Sequence, residues 1–165
     1  MSVRTRGYDM TKNVRWQKLR IDSGWETAVE SVLRERLHAL ELADPAPLET
    51  LGSDQPPVKA SLFAQGSGAV PQALSGYPSL ASKVHATDAA VSGALADWFS
   101  GFYAAEVDPD RAARAGLPAG AVLVNRAGHQ FTGHTLSFHA PDPSDAGLLA
   151  RQGEIEVCHG ASPVK

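Results

Sequence analysis

Three histidines, His129, His134 and His139, recur at intervals of five residues, and their type and spacing are the first hint of chemistry in this chain. Imidazoles in sets of three supply the donors of many zinc sites. Along an extended strand, however, an odd interval places neighbours on opposite faces, so His134 points away from the other two. No acidic or cysteine residue stands close enough in sequence to complete a ligand set. The expectation is three surface histidines and no metal. Cys158 is the single cysteine, which excludes an internal disulfide and a cysteine-rich zinc site.

Phosphate chemistry finds no better footing. Gly66-Ser67-Gly68 follows a candidate strand in the manner of a dinucleotide fingerprint, but Pro71 stands where the third glycine is needed, and no helix opens there. Leu74-Ser75-Gly76 is similar to the start of the signature sequence of ABC-type ATPases, and Tyr77-Pro78 breaks it. No glycine-lysine pair occurs, so there is no Walker A loop. The chain also lacks a Gly-x-Ser-x-Gly elbow, and Ser137 two residues from His139 reads as strand alternation rather than as nucleophile and base. These signs point to a chain that is not an enzyme and needs no cofactor. A small enzyme whose partners converge only in three dimensions stays open as an alternative.

The elements that position these residues follow from periodicity. Ser23 with Glu26 has capping-box spacing, and Trp25, Ala28, Val29, Val32, Leu33, Leu37 and Leu40 then recur as one helical stripe. Leu19 and Ile21 alternate with polar neighbours as a short strand just before it. Asp44-Pro45-Ala46-Pro47 ends the helix. Residues 58–63 form a candidate strand, and residues 66–77, rich in glycine and serine, read as a loop. Thr87 or Asp88 caps a second helix whose stripe is Val91, Ala94, Leu95, Trp98, Phe99 and Phe102. Asp108-Pro109 opens a short helix that stops at Gly116. Pro118-Ala119-Gly120 turns the chain into a buried strand over residues 121–124, and Ala127-Gly128 makes the next turn. Residues 130–139 read as one extended strand, with Leu136 and Phe138 on one face. Ser144 caps a last helix, in which Leu148, Gln152 and Ile155 are spaced like a coiled-coil seam. The pattern is α+β, in two lobes joined near residue 80.

Composition is that of a globular protein: 165 residues, 43% apolar and 20% charged. No run reaches the roughly 18 apolar residues of a membrane span, and residues 1–20 lack an apolar stretch of signal-peptide type, so a cytoplasmic location is expected. The net charge of -3 conceals an asymmetry. Arg4, Arg6, Lys12, Arg15, Lys18 and Arg20 face only Asp9 within the first twenty residues, which leaves an acidic remainder. A basic end on an acidic body is a candidate nucleic-acid contact or a solvated terminus.

Several segments, taken in order, resemble the hinge domain of bacterial SMC (structural maintenance of chromosomes) proteins. Trp25-Glu26-Thr27-Ala28-Val29-Glu30-Ser31-Val32-Leu33 is similar to the first hinge helix, and residues 58–63 to the strand after it. Leu95-Ala96-Asp97-Trp98-Phe99-Ser100-Gly101-Phe102 resembles the second-lobe helix with its following strand. Val122-Leu123-Val124-Asn125-Arg126-Ala127-Gly128 resembles a valine-rich strand that ends at a glycine turn. Gly147-Leu148-Leu149-Ala150-Arg151-Gln152-Gly153-Glu154-Ile155-Glu156 resembles the return into a coiled coil. The likeness covers about residues 15–157. Phe138-His139 stands where the family often has a glycine pair, and Gly153 stands inside the last helix at a cost of about 1 kcal/mol against alanine.

The resemblance implies an SMC-hinge-like α+β fold of two small lobes with mixed sheets and flanking helices. It divides the chain into a basic segment 1–14, lobe I at 15–80, lobe II at 81–157 and a tail at 158–165. It also implies a homodimer formed through sheet edges, with Gly128, Gly133, Leu136 and Phe138 at the interface. Weak, salt-sensitive DNA contact would run through Arg15, Lys18, Arg20 and Arg151. The implied role is the dimerisation module of a nucleoid-associated chromosome condensation and segregation protein whose family is ATP-dependent. The coiled-coil arms and ATPase head of that family are absent from this sequence. A truncated hinge remnant without that role is the other alternative.

Overall fold

The computed structural model describes residues 12–13, 19–42, 46, 49, 59–66, 68–69 and 71–140. Among the described residues, three sheets carry the architecture. Strands β1 (Lys12–Asn13), β3 (Leu40–Leu42) and β4 (Leu62–Ala64) form a mixed sheet in which β3 is antiparallel to β1 and parallel to β4. Strands β2 (Leu19–Ile21) and β5 (Val84–Ala86) form an antiparallel pair. Strands β6 (Phe102–Ala105), β7 (Val122–Asn125), β8 (Gln130–Phe131) and β9 (Leu136–Ser137) form a four-stranded sheet, parallel at β6–β7 and antiparallel thereafter. Helices α1 (Glu26–Leu33), α2 (Ser92–Trp98) and α3 (Arg111–Ala115) flank them. The α+β class and the mixed sheets are those expected from sequence.

The apolar stripe of α1 is buried as its spacing predicts, with Trp25, Ala28, Val29, Val32 and Leu33 all in the core. Both ends of that helix differ from expectation. Ser23 does not cap it: the Trp25 amide donates to the Asp22 carbonyl at 3.0 Å, and this turn moves the helix start to residue 26. Glu26 then accepts from the Gly24 amide at 2.8 Å, two residues back rather than three. The helix stops at Leu33 instead of running to Leu40, because Arg34 takes φ +46 and ψ -117. A 3-10 turn over Arg34–His38 follows. Leu37 stays buried there, since a tight turn keeps the spacing of three to four residues, while Leu40 joins β3. Periodicity alone does not separate a helix from a helix followed by a tight turn.

The second helix opens with a 3-10 turn over Ala89–Val91, where Asp88 Oδ1 accepts from the Ala90 amide at 3.0 Å. Val91, Ala94, Leu95 and Phe99 are buried, but Trp98 is only half-buried and stands edge-on to Phe63, and Phe102 has left the helix for β6. The cap of α3 is Asp110, whose carboxylate accepts from the Ala113 amide at 2.8 Å. Asp108, the cap expected from sequence, instead accepts from Asn125 Nδ2 at 2.7 Å. The strand expected at residues 58–63 lies at Leu62–Ala64, and residue 58 lies outside the described residues. So do the last helix after Ser144 and the tail.

The largest apolar cluster draws on both sides of residue 80, joining Trp25, Val29, Leu33 and Phe63 to Leu80, Leu95, Phe99 and Val124. A smaller one gathers Ala105, Leu123 and Phe131, with Tyr77, Tyr103 and Leu117 packed against them. That second cluster fixes the inner side of the hairpin described next.

Candidate functional site

Residues 130–139 form a tight hairpin, not the single strand expected from their alternation. Gln130 pairs with Ser137 and Phe131 with Leu136. The four-residue tip 132–135 reverses the chain, with the Thr132 amide donating to the Thr135 carbonyl at 2.9 Å. The Thr132 hydroxyl accepts from the amides of His134 (3.2 Å) and Thr135 (2.9 Å), a threonine-capped turn that supplies the reversal signal. Gly133 lies in the tip, and a Cβ there would sit 3.5 Å from the Arg114 carbonyl, an ordinary contact.

Antiparallel pairs alternate between hydrogen-bonded and open. Because Thr132 and Thr135 are bonded, Phe131 and Leu136 form the open pair, and the Leu136 N–H and C=O point away from β8. Strand β9 pairs only with β8 among the described residues, so this edge of the four-stranded sheet is unfilled there. Leu136 is 42% exposed and Phe138 75%, two of the few large apolar side chains left to solvent. A strand edge without a partner among the described residues, beside exposed apolar side chains, offers unpaired backbone groups that another strand can meet.

The base of the hairpin is anchored to the rest of the fold. Asn125 is buried and accepts from the His129 amide at 2.9 Å while donating to Asp108. Gln130 donates to the Ser31 carbonyl of α1 at 3.2 Å. Gly128 is buried at φ +82, and a Cβ on it would fall 2.9 Å from the His139 ring, 3.0 Å from Ser31 Cβ and 3.0 Å from the Thr27 carbonyl. Its need for glycine therefore arises within the chain, from the close approach of this turn to α1.

The histidines are arranged differently from the expectation of three surface side chains. His134 is exposed at the tip. Pairing across the hairpin brings His129 and His139 together, and the His139 amide donates to His129 Nδ1 at 3.0 Å. Both are half-buried, and the His129 ring meets Phe138 edge-on at 5.1 Å. Among the described residues no group of three His, Cys, Asp or Glu is placed to hold a metal ion.

Beside the hairpin lies an open groove of about 440 Å³ whose lining includes Ser31, Arg34, Arg36, Ser61, Phe102 and Gln130. No histidine lines it, and the Ser31 hydroxyl is committed to the Ala28 carbonyl at 2.8 Å. Of the four cations expected to contact DNA, Arg20 is exposed on β2 opposite His85, while Arg15, Lys18 and Arg151 lie outside the described residues. No helix among the described residues is long and apolar enough to cross a membrane.

No protein-family model matches the chain. Curated relatives do: it is 44% identical over 143 residues to the chromosome partition protein Smc of Bordetella petrii and 39% identical over 143 residues to that of Burkholderia pseudomallei. Each match covers 86% of this chain but 12% of the relative, so the chain spans a small part of their length. Among solved structures, an asymmetric dimer of the Geobacillus stearothermophilus SMC hinge domain matches with a TM-score of 0.64 at 16% identity, over 90% of this chain and 65% of that one. The Pyrococcus furiosus Smc hinge domain with an extended coiled coil matches with a TM-score of 0.58 at 12% identity, over 96% of this chain and 60% of that one.

Proposed function

The chain has the SMC hinge fold and is related in sequence to bacterial chromosome partition Smc proteins, and from that premise we propose that it is the dimerisation module of an SMC-type chromosome condensation and segregation protein. The observation that carries this reading is the β9 edge, unfilled among the described residues, where the outward Leu136 backbone lies beside exposed Leu136 and Phe138 side chains. A second copy satisfies that edge. In a two-fold dimer β9 of each protomer meets an edge of the partner's first lobe, where β1 and β4 flank the three-stranded sheet. Gly128 and Gly133 act from behind, by setting the turn and the tip that present β9. In this reading lobe I is residues 15–80 and lobe II residues 81–157, with a basic segment before and a tail after.

Auxiliary DNA contact through Arg15, Lys18, Arg20 and Arg151 belongs to the same proposal, and the exposure of Arg20 supports it. Phosphate neutralisation releases counterions, so this contact is weak and salt-sensitive. The hinge has no catalytic step of its own, and its place is at the nucleoid in the cytoplasm. Sedimentation equilibrium across a concentration series tests the reading. A reversible monomer–dimer equilibrium is expected. A chain that stays monomeric at high micromolar concentration overturns it and favours a hinge remnant.

A further inference from the structure

We infer that Arg114 is a positioning residue for the β9 edge: its forked guanidinium clamps the hairpin tip and fixes the outward Leu136 backbone for a strand of a second copy, an inference that rests on the dimer reading above. Arg114 lies on α3, outside the sheet, yet its Nε donates to the Thr132 carbonyl at 2.9 Å and its second terminal nitrogen to the Thr135 carbonyl at 3.1 Å. These two carbonyls are the two ends of the four-residue tip. One rigid group therefore sets the separation of the strands where the hairpin reverses. The fork has donors fixed in a plane, and a lysine cannot span both acceptors in the same way. Arg114 makes no ion pair among the described residues, so its polar contacts there go to this tip.

The tip is otherwise closed on itself. The Thr132 and Thr135 hydroxyls lie 2.7 Å apart, and Thr132 also takes the amides of His134 and Thr135. The other end of β9 is tied by the His139 amide on His129 Nδ1. Leu136 thus sits between two anchors, at Thr135 and His139, on a two-residue strand with a single paired side among the described residues. So short a hairpin frays when left alone. An edge that frays must be ordered on association, and that ordering weakens binding, whereas an edge already held does not lose as much.

The test uses the whole chain as wild type, Arg114→Lys and Leu95→Ala, the last lowering stability from the other core cluster. Sedimentation equilibrium reads the dimer constant, and amide hydrogen exchange under monomeric conditions reads residues 133–137. Arg114→Lys is expected to weaken the dimer by about tenfold and to speed exchange in the hairpin, while Leu95→Ala holds the dimer constant within about twofold. If Arg114→Lys fails to fold, Arg114→Met, which keeps the apolar stem, gives the same readout. A dimerising wild type with an Arg114 variant of equal affinity overturns the clamp and leaves the dimer reading standing. Equal weakening by Leu95→Ala also overturns it, since general instability then explains the effect. A wild type that never dimerises overturns both.

Discussion

The guanidinium of Arg126 lies 5.0 Å from the centroid of the Trp25 indole, so the turn after β7 grips the turn before α1. Lys83 approaches the same ring at 5.4 Å. Arg126 also donates to the Ser23 carbonyl at 3.3 Å and pairs with Glu106 at 2.8 Å. A single side chain thereby joins residues 23–25 to the four-stranded sheet that carries the hairpin.

Arg126→Ala should therefore destabilise the fold by about 1–3 kcal/mol, the sum of a cation–π contact, an exposed ion pair of small worth and lost packing over Trp25. A chemical denaturation midpoint measures it. Arg126→Lys should recover part of the loss, because a lysine restores the charge but not the planar stack. A midpoint unchanged in the alanine variant would show that the ring is held by the core alone.

The aromatic pair at the end of α2 gives a second expectation. Phe99 is fully buried, whereas Trp98 is half-buried and stands edge-on to Phe63 at 5.8 Å. Phe99→Ala should cost about 3–5 kcal/mol, the range for a buried aromatic, and Trp98→Ala clearly less. Urea midpoints of the two variants decide the order. The larger loss at Trp98 would mean that the helix is rotated.

Two glycines of the hairpin region should respond in opposite ways. Gly128→Ala sets a Cβ in the left-handed region and drives it to 3.0 Å from the Thr27 carbonyl, which is backbone and cannot step aside. A loss of about 2–4 kcal/mol is expected from strain and overpacking together. Gly133→Ala meets an ordinary contact with the Arg114 carbonyl and should stay within about 0.5 kcal/mol of wild type. Thermal melts of the two variants check this contrast.

Much of the fold was legible because burial imposes period. The α1 stripe as far as Leu33, the strand expected at residues 121–124 and found at Val122–Asn125, and the turn at Gly128 all follow from apolar spacing and turn chemistry. What periodicity cannot see is a change of helix type, so the 3-10 turn that carries Leu37 read as more α-helix. The hairpin was misread for a related reason. Its apolar positions change phase across Thr132-Gly133-His134-Thr135, from Phe131 to Leu136 and Phe138, and the Thr132 hydroxyl, which accepts two tip amides, marks the reversal. A threonine and a glycine side by side were the signal available. Leu136 and Phe138 were placed at the interface by family likeness, and the structure leaves both exposed. Arg114 carried no signal at all, because its partners are backbone carbonyls eighteen and twenty-one residues away.

The last prediction separates the β9 edge from the fold that presents it. The Leu136 N–H points away from β8, so proline at this position removes a donor that the hairpin itself does not use. Proline is tolerated on edge strands for this reason, and natural sheets use it there to block further pairing. Leu136→Pro should remain folded, with a melting temperature close to that of wild type, yet sediment as a monomer where the wild type dimerises. Leu136→Ala keeps the N–H and loses only apolar contact, so its dimer should weaken by less, about tenfold or under. Ser137→Pro supplies the opposite case. Its N–H faces β8, and its loss should open the hairpin and speed amide exchange at Gln130 and Thr132, whose N–H groups face β9. Sedimentation equilibrium on the three variants, with circular dichroism to verify folding, gives the answer. A Leu136→Pro chain that dimerises as well as wild type would move the interface away from the β9 backbone and onto the side chains of Leu136 and Phe138.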